Sequence, residues 1–140
     1  METTAGSARA VFMDEMGWLA ALYGGTLCAV AGIFEADVCH TTIVVRLEEA
    51  EQVIRFYADV GLPRVDDELA ACRRALQCNL VRGVRWVTFG MHPESGRLVA
   101  TAVLPVQIDW KSGVVARAVV ESLLACVADM RHEYSFFGSR

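Results

Sequence analysis

Asp66-Asp67-Glu68-Leu69-Ala70-Ala71-Cys72-Arg73-Arg74-Ala75-Leu76-Gln77-Cys78-Asn79-Leu80 opens on three acids and then places apolar residues at three- and four-residue intervals. Acidic side chains are favoured at a helix start, where the macrodipole presents positive partial charge. The helix so predicted carries Leu69, Cys72, Leu76 and Leu80 as a narrow stripe, with Arg73 and Arg74 on other faces. Such a stripe is first of all core. Gly83 ends the helix, and Val84 to Met91 reads as a strand apolar on both faces through Trp86, Val87 and Phe89. Pro93-Glu94-Ser95-Gly96 follows as a hairpin turn, because proline presets φ at the second turn position and glycine absorbs positive φ. Arg97 to Leu104 returns antiparallel. A last helix, about Val114 to Met130, has Val115, Val119, Leu123, Cys126, Val127 and Met130 on one side, with Val120 and Leu124 adjoining. An apolar arc that wide is usually covered from two directions.

Upstream, Val11, Phe12, Met16, Leu19 and Tyr23 share one face of a helix over Ala8 to Tyr23, and Trp18 and Leu22 widen it. Gly24-Gly25 stops that helix. Leu27 to Ile33 reads as a first strand with Glu35-Ala36-Asp37 as its turn, and Val38 to Leu47 as a second strand of period two. Glu49-Ala50-Glu51-Gln52 closes a hairpin onto Val53 to Val60, and Gly61-Leu62-Pro63 breaks that third strand, since proline cannot donate to a ladder. The expected order is α-β-β-β-α-β-β-α. It describes a single α+β domain over residues 1–140, a twisted antiparallel sheet packed by helices.

Composition narrows the function. At 54% apolar residues and a mean hydropathy of +0.36 the chain exceeds ordinary domains, yet it has no stretch approaching the ~20 apolar residues of a membrane span. Self-association or a partner protein is the simplest cover for that surplus. Net charge is −4 with no basic block, so nucleic acid is an unsuitable ligand. Met1-Glu2-Thr3-Thr4-Ala5-Gly6-Ser7 lacks the basic start of a secretory signal, which points to the cytoplasm. Cys28, Cys39, Cys72, Cys78 and Cys126 contain no C-x-x-C and read as small apolar residues in a reducing compartment.

No constellation carries evident chemistry. His40 beside Cys39 is the most reactive-looking pair, but adjacent residues of a strand point to opposite faces. His92 precedes a hairpin turn, His132 follows the last apolar turn, and the three histidines lack the spacing of zinc ligands. Glu48, Glu49 and Glu51 read as a solvated hairpin tip. No enzyme activity, metal or cofactor is expected. Trp18 and the tail aromatics Tyr134, Phe136 and Phe137 pack on their own domain or serve as interface anchors.

Taken whole, the chain resembles the Tir-chaperone (CesT-like) family of class I type III secretion chaperones. The resemblance is carried by Arg74-Ala75-Leu76-Gln77-Cys78-Asn79-Leu80, by the hairpin Thr88-Phe89-Gly90-Met91-His92-Pro93-Glu94-Ser95-Gly96-Arg97-Leu98 and by Leu104-Pro105. Val120-Glu121-Ser122-Leu123-Leu124 in the last helix and Phe56-Tyr57-Ala58-Asp59-Val60-Gly61 also fit the pattern. One departure stands out: the family has an acidic tight connection between its first two strands where Val38 to Arg46 here reads as continuous strand. The resemblance implies a bacterial cytoplasmic homodimer that holds the N-terminal segment of a secreted effector in extended form, soluble and competent for secretion. It also brings in the secretion-system ATPase as a candidate partner. Apolar position then assigns Trp18, Leu22, Val45, Leu47 and Phe56 to effector contact, and Leu69, Cys72, Leu76, Trp86 and Phe89 to the dimer. Two other readings compete: a small thiol enzyme or redox-sensitive regulator using Cys39 or Cys78, and a dimeric module that binds a folded protein.

Overall fold

Ala8, Phe12, Met16 and Leu19 recur at three- and four-residue spacing and are all buried, which docks helix α1 (Ala5–Tyr23) by one face. In a computed structural model, which describes residues 5–81 and 86–137, the chain leaves α1 through Gly24 and Gly25. A Cβ at Gly25 would lie 2.5 Å from the carbonyl oxygen of Glu35, so only glycine allows this crossing. There follow β1 (Thr26–Cys28), β2 (Ile33–Val38), β3 (Thr41–Glu48), β4 (Val53–Pro63), α2 (Glu68–Val81), β5 (Thr88–Met91), β6 (Leu98–Pro105), α3 (Val114–Glu133) and β7 (Phe136–Phe137). The sheet runs β1-β2-β3-β4-β6-β5, antiparallel throughout, and β7 pairs with the far end of β4. The α+β class stands, but the first strand expected over Leu27 to Ile33 is only the three-residue β1, a turn occupies residues 29–32, and β2 and β7 are the additional strands. Gly83, Val84 and Arg85, expected to end the second helix and begin a strand, lie outside the described residues.

The β2–β3 hairpin differs from the sequence expectation. Val38 to Leu47 is not one strand: Val38 faces Thr41 across a two-residue connection, Cys39-His40, with φ of 53° and 61°. Two left-handed central residues suit the twist of a hairpin. The turn therefore sits at Cys39-His40 rather than at Glu35-Ala36-Asp37, which belong to β2. Neither residue is the usual asparagine or glycine, and a distant side chain holds the turn in place. Arg131 of α3 donates from Nη1 to the His40 carbonyl at 3.2 Å and to Thr41 Oγ1 at 3.1 Å. Its Nε donates to the Val60 carbonyl at 2.8 Å, and its Nη2 to that of Asp59 at 2.9 Å.

Nor does Gly61-Leu62-Pro63 end the third strand. The register of β4 against β6 shifts between Asp59 and Gly61, and the strand runs on to pair Leu62 with Phe137 and Pro63 with Phe136. A bulge bends the strand away from one partner and toward another, so proline occupies the last position without breaking a ladder. Arg97 holds the bulge through a bidentate pair with Asp59, Nε to Oδ1 at 3.0 Å and Nη2 to Oδ2 at 2.5 Å.

Alternation along the strands collects Phe34, Ala36, Ile43, Val45, Leu47, Ile54, Phe56, Ala58, Ala100, Ala102 and Leu104 on one buried face. Helix α1 lies over β2 and β3, α3 over β4 and β6, and α2 along β5. Trp110 closes the core: its indole donates to the Val106 carbonyl at 2.9 Å, and its ring stacks on Phe56 with centroids 6.3 Å apart.

Candidate functional site

Helix α2 inverts the arrangement its sequence suggests. The face turned to the domain is made of Ala71 and Ala75, both buried, with Cys72 half-buried. The leucines point outward: Leu69 is 67% exposed, Leu76 68% and Leu80 87%. Leucine fully buried is favourable by about 1.5–3 kcal/mol relative to leucine in water, so three outward leucines on about three turns make an unsatisfied surface. The stripe expected to be core is therefore open. Trp86 and Met91 are exposed beside it, and Phe89 is half-buried. Between α2 and the β5–β6 hairpin an apolar cleft of about 130 Å³ is lined by Cys72, Ala75, Leu76, Phe89, Met91 and Leu98. Of the five residues assigned from sequence to the dimer, Cys72, Leu76 and Phe89 line this cleft, Leu69 stands with Arg73 and Tyr134 on another part of α2, and Trp86 precedes β5 rather than lying inside it.

Asn79 was not singled out from sequence as a site residue, yet it joins helix to sheet. Its Nδ2 donates to the Phe89 carbonyl at 2.9 Å and its Oδ1 accepts the Phe89 N–H at 2.7 Å. The asparagine stands where a further strand would pair. Ala71, Ala75 and Asn79 are spaced by four, so the small residues that let α2 approach also aim the amide.

A second apolar face lies on α1. Trp18 is 51% exposed and Leu22 49%, and with Val114 they border a cleft of about 310 Å³ that also includes Ala21, Gly113 and Arg117. Its floor is the start of α3. Lys111, Ser112 and Gly113 all have positive φ, 56°, 50° and 90°. A Cβ on Gly113 would lie 2.7 Å from that of Trp18, so the indole rests directly on this backbone. Beneath it the Gly113 N–H donates to Glu15 Oε1 at 2.9 Å. Helix α3 has no cap from its own N-cap residue, and Glu15, almost fully buried, supplies the acceptor from α1. Burial pushes the Glu15 carboxyl above its ordinary range; the Gly113 hydrogen bond draws it back, and the charge of Asp14 adds to the rise.

The other residues assigned to effector contact lie elsewhere. Val45 and Phe56 have no exposed surface and Leu47 is buried; all three are core under the helices. Period two marked them correctly as one face of the sheet, but that is the covered face. Burial removes them from the set of surface contacts and leaves Trp18 and Leu22.

The thiols differ in exposure: Cys28 and Cys39 are exposed, and Cys72, Cys78 and Cys126 are half-buried. None of the five cysteines is in a disulfide, and Cys39 and His40 are the corner residues of the β2–β3 hairpin rather than neighbours along a strand. The Cys72 thiol is pushed up by burial and then by Glu68, away from the thiolate that nucleophilic chemistry needs. Among the described residues no group of three or more His, Cys, Asp or Glu could hold a metal ion, and no helix is long and apolar enough to cross a membrane.

No protein-family model and no curated protein matches the sequence. Solved structures do match in fold. A chain of the HopA1–SchA chaperone–effector complex superposes with a TM-score of 0.67 at 13% identity, covering 89% of this chain and 94% of that one. A chain of the heterodimeric ExoU–SpcU complex from the type III secretion system of Pseudomonas aeruginosa gives 0.66 at 18% identity, covering 85% and 96%. YbjN, described as a putative transcription regulator from E. coli, gives 0.61 at 16% identity, covering 85% and 90%.

Proposed function

We propose that this protein is a class I type III secretion chaperone, working as a homodimer in the bacterial cytoplasm without enzymatic activity. It holds the N-terminal segment of a secreted effector in extended form and keeps that effector soluble and competent for secretion. The observation that carries this reading is the pair of separate apolar faces on a fold shared with type III chaperone–effector structures. One face exposes Leu69, Leu76 and Leu80 on one side of α2, apolar surface that a second copy would cover. The other, with Trp18, Leu22 and Val114, is a shallow cleft suited to successive side chains of an extended segment. An extended ligand also uses free strand edges, where main-chain pairing adds affinity independent of side chains. Ordering such a segment costs free energy, which a long contact must offset. The secretion-system ATPase is proposed as the partner that receives the loaded complex.

The test is to tag the protein in its own bacterium, isolate it gently and map what accompanies it by mass spectrometry and limited proteolysis. A larger polypeptide protected only along an N-terminal segment, and lost on Trp18→Asp with Leu22→Asp, supports the reading. A partner that keeps its whole fold while bound favours a second reading, a dimeric module for a folded protein. A lone protein with no partner refutes both.

A further inference from the structure

Edge strands expose unpaired N–H and C=O groups that recruit another strand. Strand β5 forms one edge of the sheet and is four residues long. Thr88 and Gly90 stand opposite Thr101 and Val99 of β6, while the Asn79 contacts put the main-chain groups of Phe89 on the far side. Alternation leaves Met91 as the other outward residue of the strand. The central N–H and C=O of this edge are therefore both taken, in the geometry a strand partner would need. We propose that Asn79 decides how the α2 face associates: it blocks continuation of the sheet at β5 and directs a second copy onto Leu69, Leu76 and Leu80 by helix packing. This rests on the reading of that face as a contact between copies. The placement is consistent along the helix, since Ala71 and Ala75 seat α2 beside the strand and a larger residue at either would lift the amide from Phe89. Without Asn79 the same face would offer two modes of association, one through helix packing and one open-ended through strand addition.

The experiment compares the full-length protein with Asn79→Ala and Asn79→Asp, using amide exchange at Phe89 and mass by light scattering over a range of concentrations. In Asn79→Ala the Phe89 amide exchanges about five- to tenfold faster, the loss expected for one net hydrogen bond, and species larger than the wild type appear as concentration rises. In Asn79→Asp the carboxylate still accepts the Phe89 N–H, so exchange stays near wild type; this variant keeps the test open should Asn79→Ala fail to fold. Unchanged exchange in Asn79→Ala, or faster exchange with no new assembly, overturns the proposal. A wild-type protein that stays monomeric refutes the dimer reading separately, and edge closure then stands only if Asn79→Ala still assembles with concentration.

Discussion

Replacing Glu15 by Gln removes a charge from a buried position while leaving an oxygen to accept the Gly113 N–H. The wild-type carboxyl is raised by burial, then moderated by the Gly113 hydrogen bond, with Asp14 adding to the rise. Between the ordinary carboxylate range and that raised value, the folded protein keeps a proton the unfolded chain has released. Stability from this group is therefore fully present in acid below the ordinary range and is lost as pH rises through the raised value. Glu15→Gln does not titrate, so its stability relative to wild type increases across the same window and reaches its maximum at neutral pH. Glu15→Leu is the contrasting change, because the Gly113 N–H beneath Trp18 is left without an acceptor. An orphaned buried donor costs about 1–3 kcal/mol, equivalent to roughly 3–12 °C in Tm for a domain of this size. Denaturant midpoints from pH 4 to 8 read both effects. Equal losses for Gln and Leu at pH 7, or a wild-type curve that follows Glu15→Gln at every pH, would refute the capping argument.

Phe56→Ala empties a site between Val45, Ala102 and the Trp110 ring; a loss of about 3–5 kcal/mol is expected, measured by urea unfolding, whereas a role in effector contact would weaken binding and spare stability. Leu76→Asp alters an exposed residue, so circular dichroism stays unchanged while sedimentation shows a monomer; a persistent dimer would remove α2 from the interface. Arg131→Met keeps the aliphatic stem but abandons the carbonyls of His40, Asp59 and Val60. It should cost about 1.5–3 kcal/mol and speed amide exchange around Cys39-His40, and exchange that stays slow would show the turn to be held locally.

Periodicity made most of the architecture legible. Ile43, Val45, Leu47, Ile54, Phe56 and Ala58 alternate regularly enough to give strands and their buried face, and Pro93 to Gly96 announced the last hairpin. Three boundaries failed: the first strand, read over Leu27 to Ile33, ends at Cys28 where a turn begins, and two others lie further on. Cys39-His40 has none of the usual turn chemistry and depends on Arg131, ninety residues away in the chain, and the bulge beyond Asp59 lets Pro63 remain in a strand. The site was half legible. Apolar spacing identified α2 as amphipathic but could not tell which side faced the domain, because Ala71 and Ala75 weigh little in any hydrophobic pattern. For the same reason Val45, Leu47 and Phe56 were assigned to surface contact when they are core. Glu15, Asn79 and Gly113 act through single hydrogen bonds across the fold, and spacing carries no trace of such contacts, although the Asn79-Leu80 pair did contribute to the family resemblance.

The position of α3 in the chain has a bearing on biosynthesis. Helix α1 and the β1–β4 meander are complete by Pro63, whereas the helix that covers β4 begins at Val114. Domains emerge N-terminus first at about 5–20 residues per second, so this interval lasts on the order of 3–10 s on the ribosome. Until Pro105 is made, β4 has its β3 edge paired and its β6 edge bare, and until α3 follows, Phe56 and Ala58 lack the helix that covers β4. Yield in the cell should then follow the speed with which codons between Pro63 and Val114 are translated, independently of the stability of the finished protein.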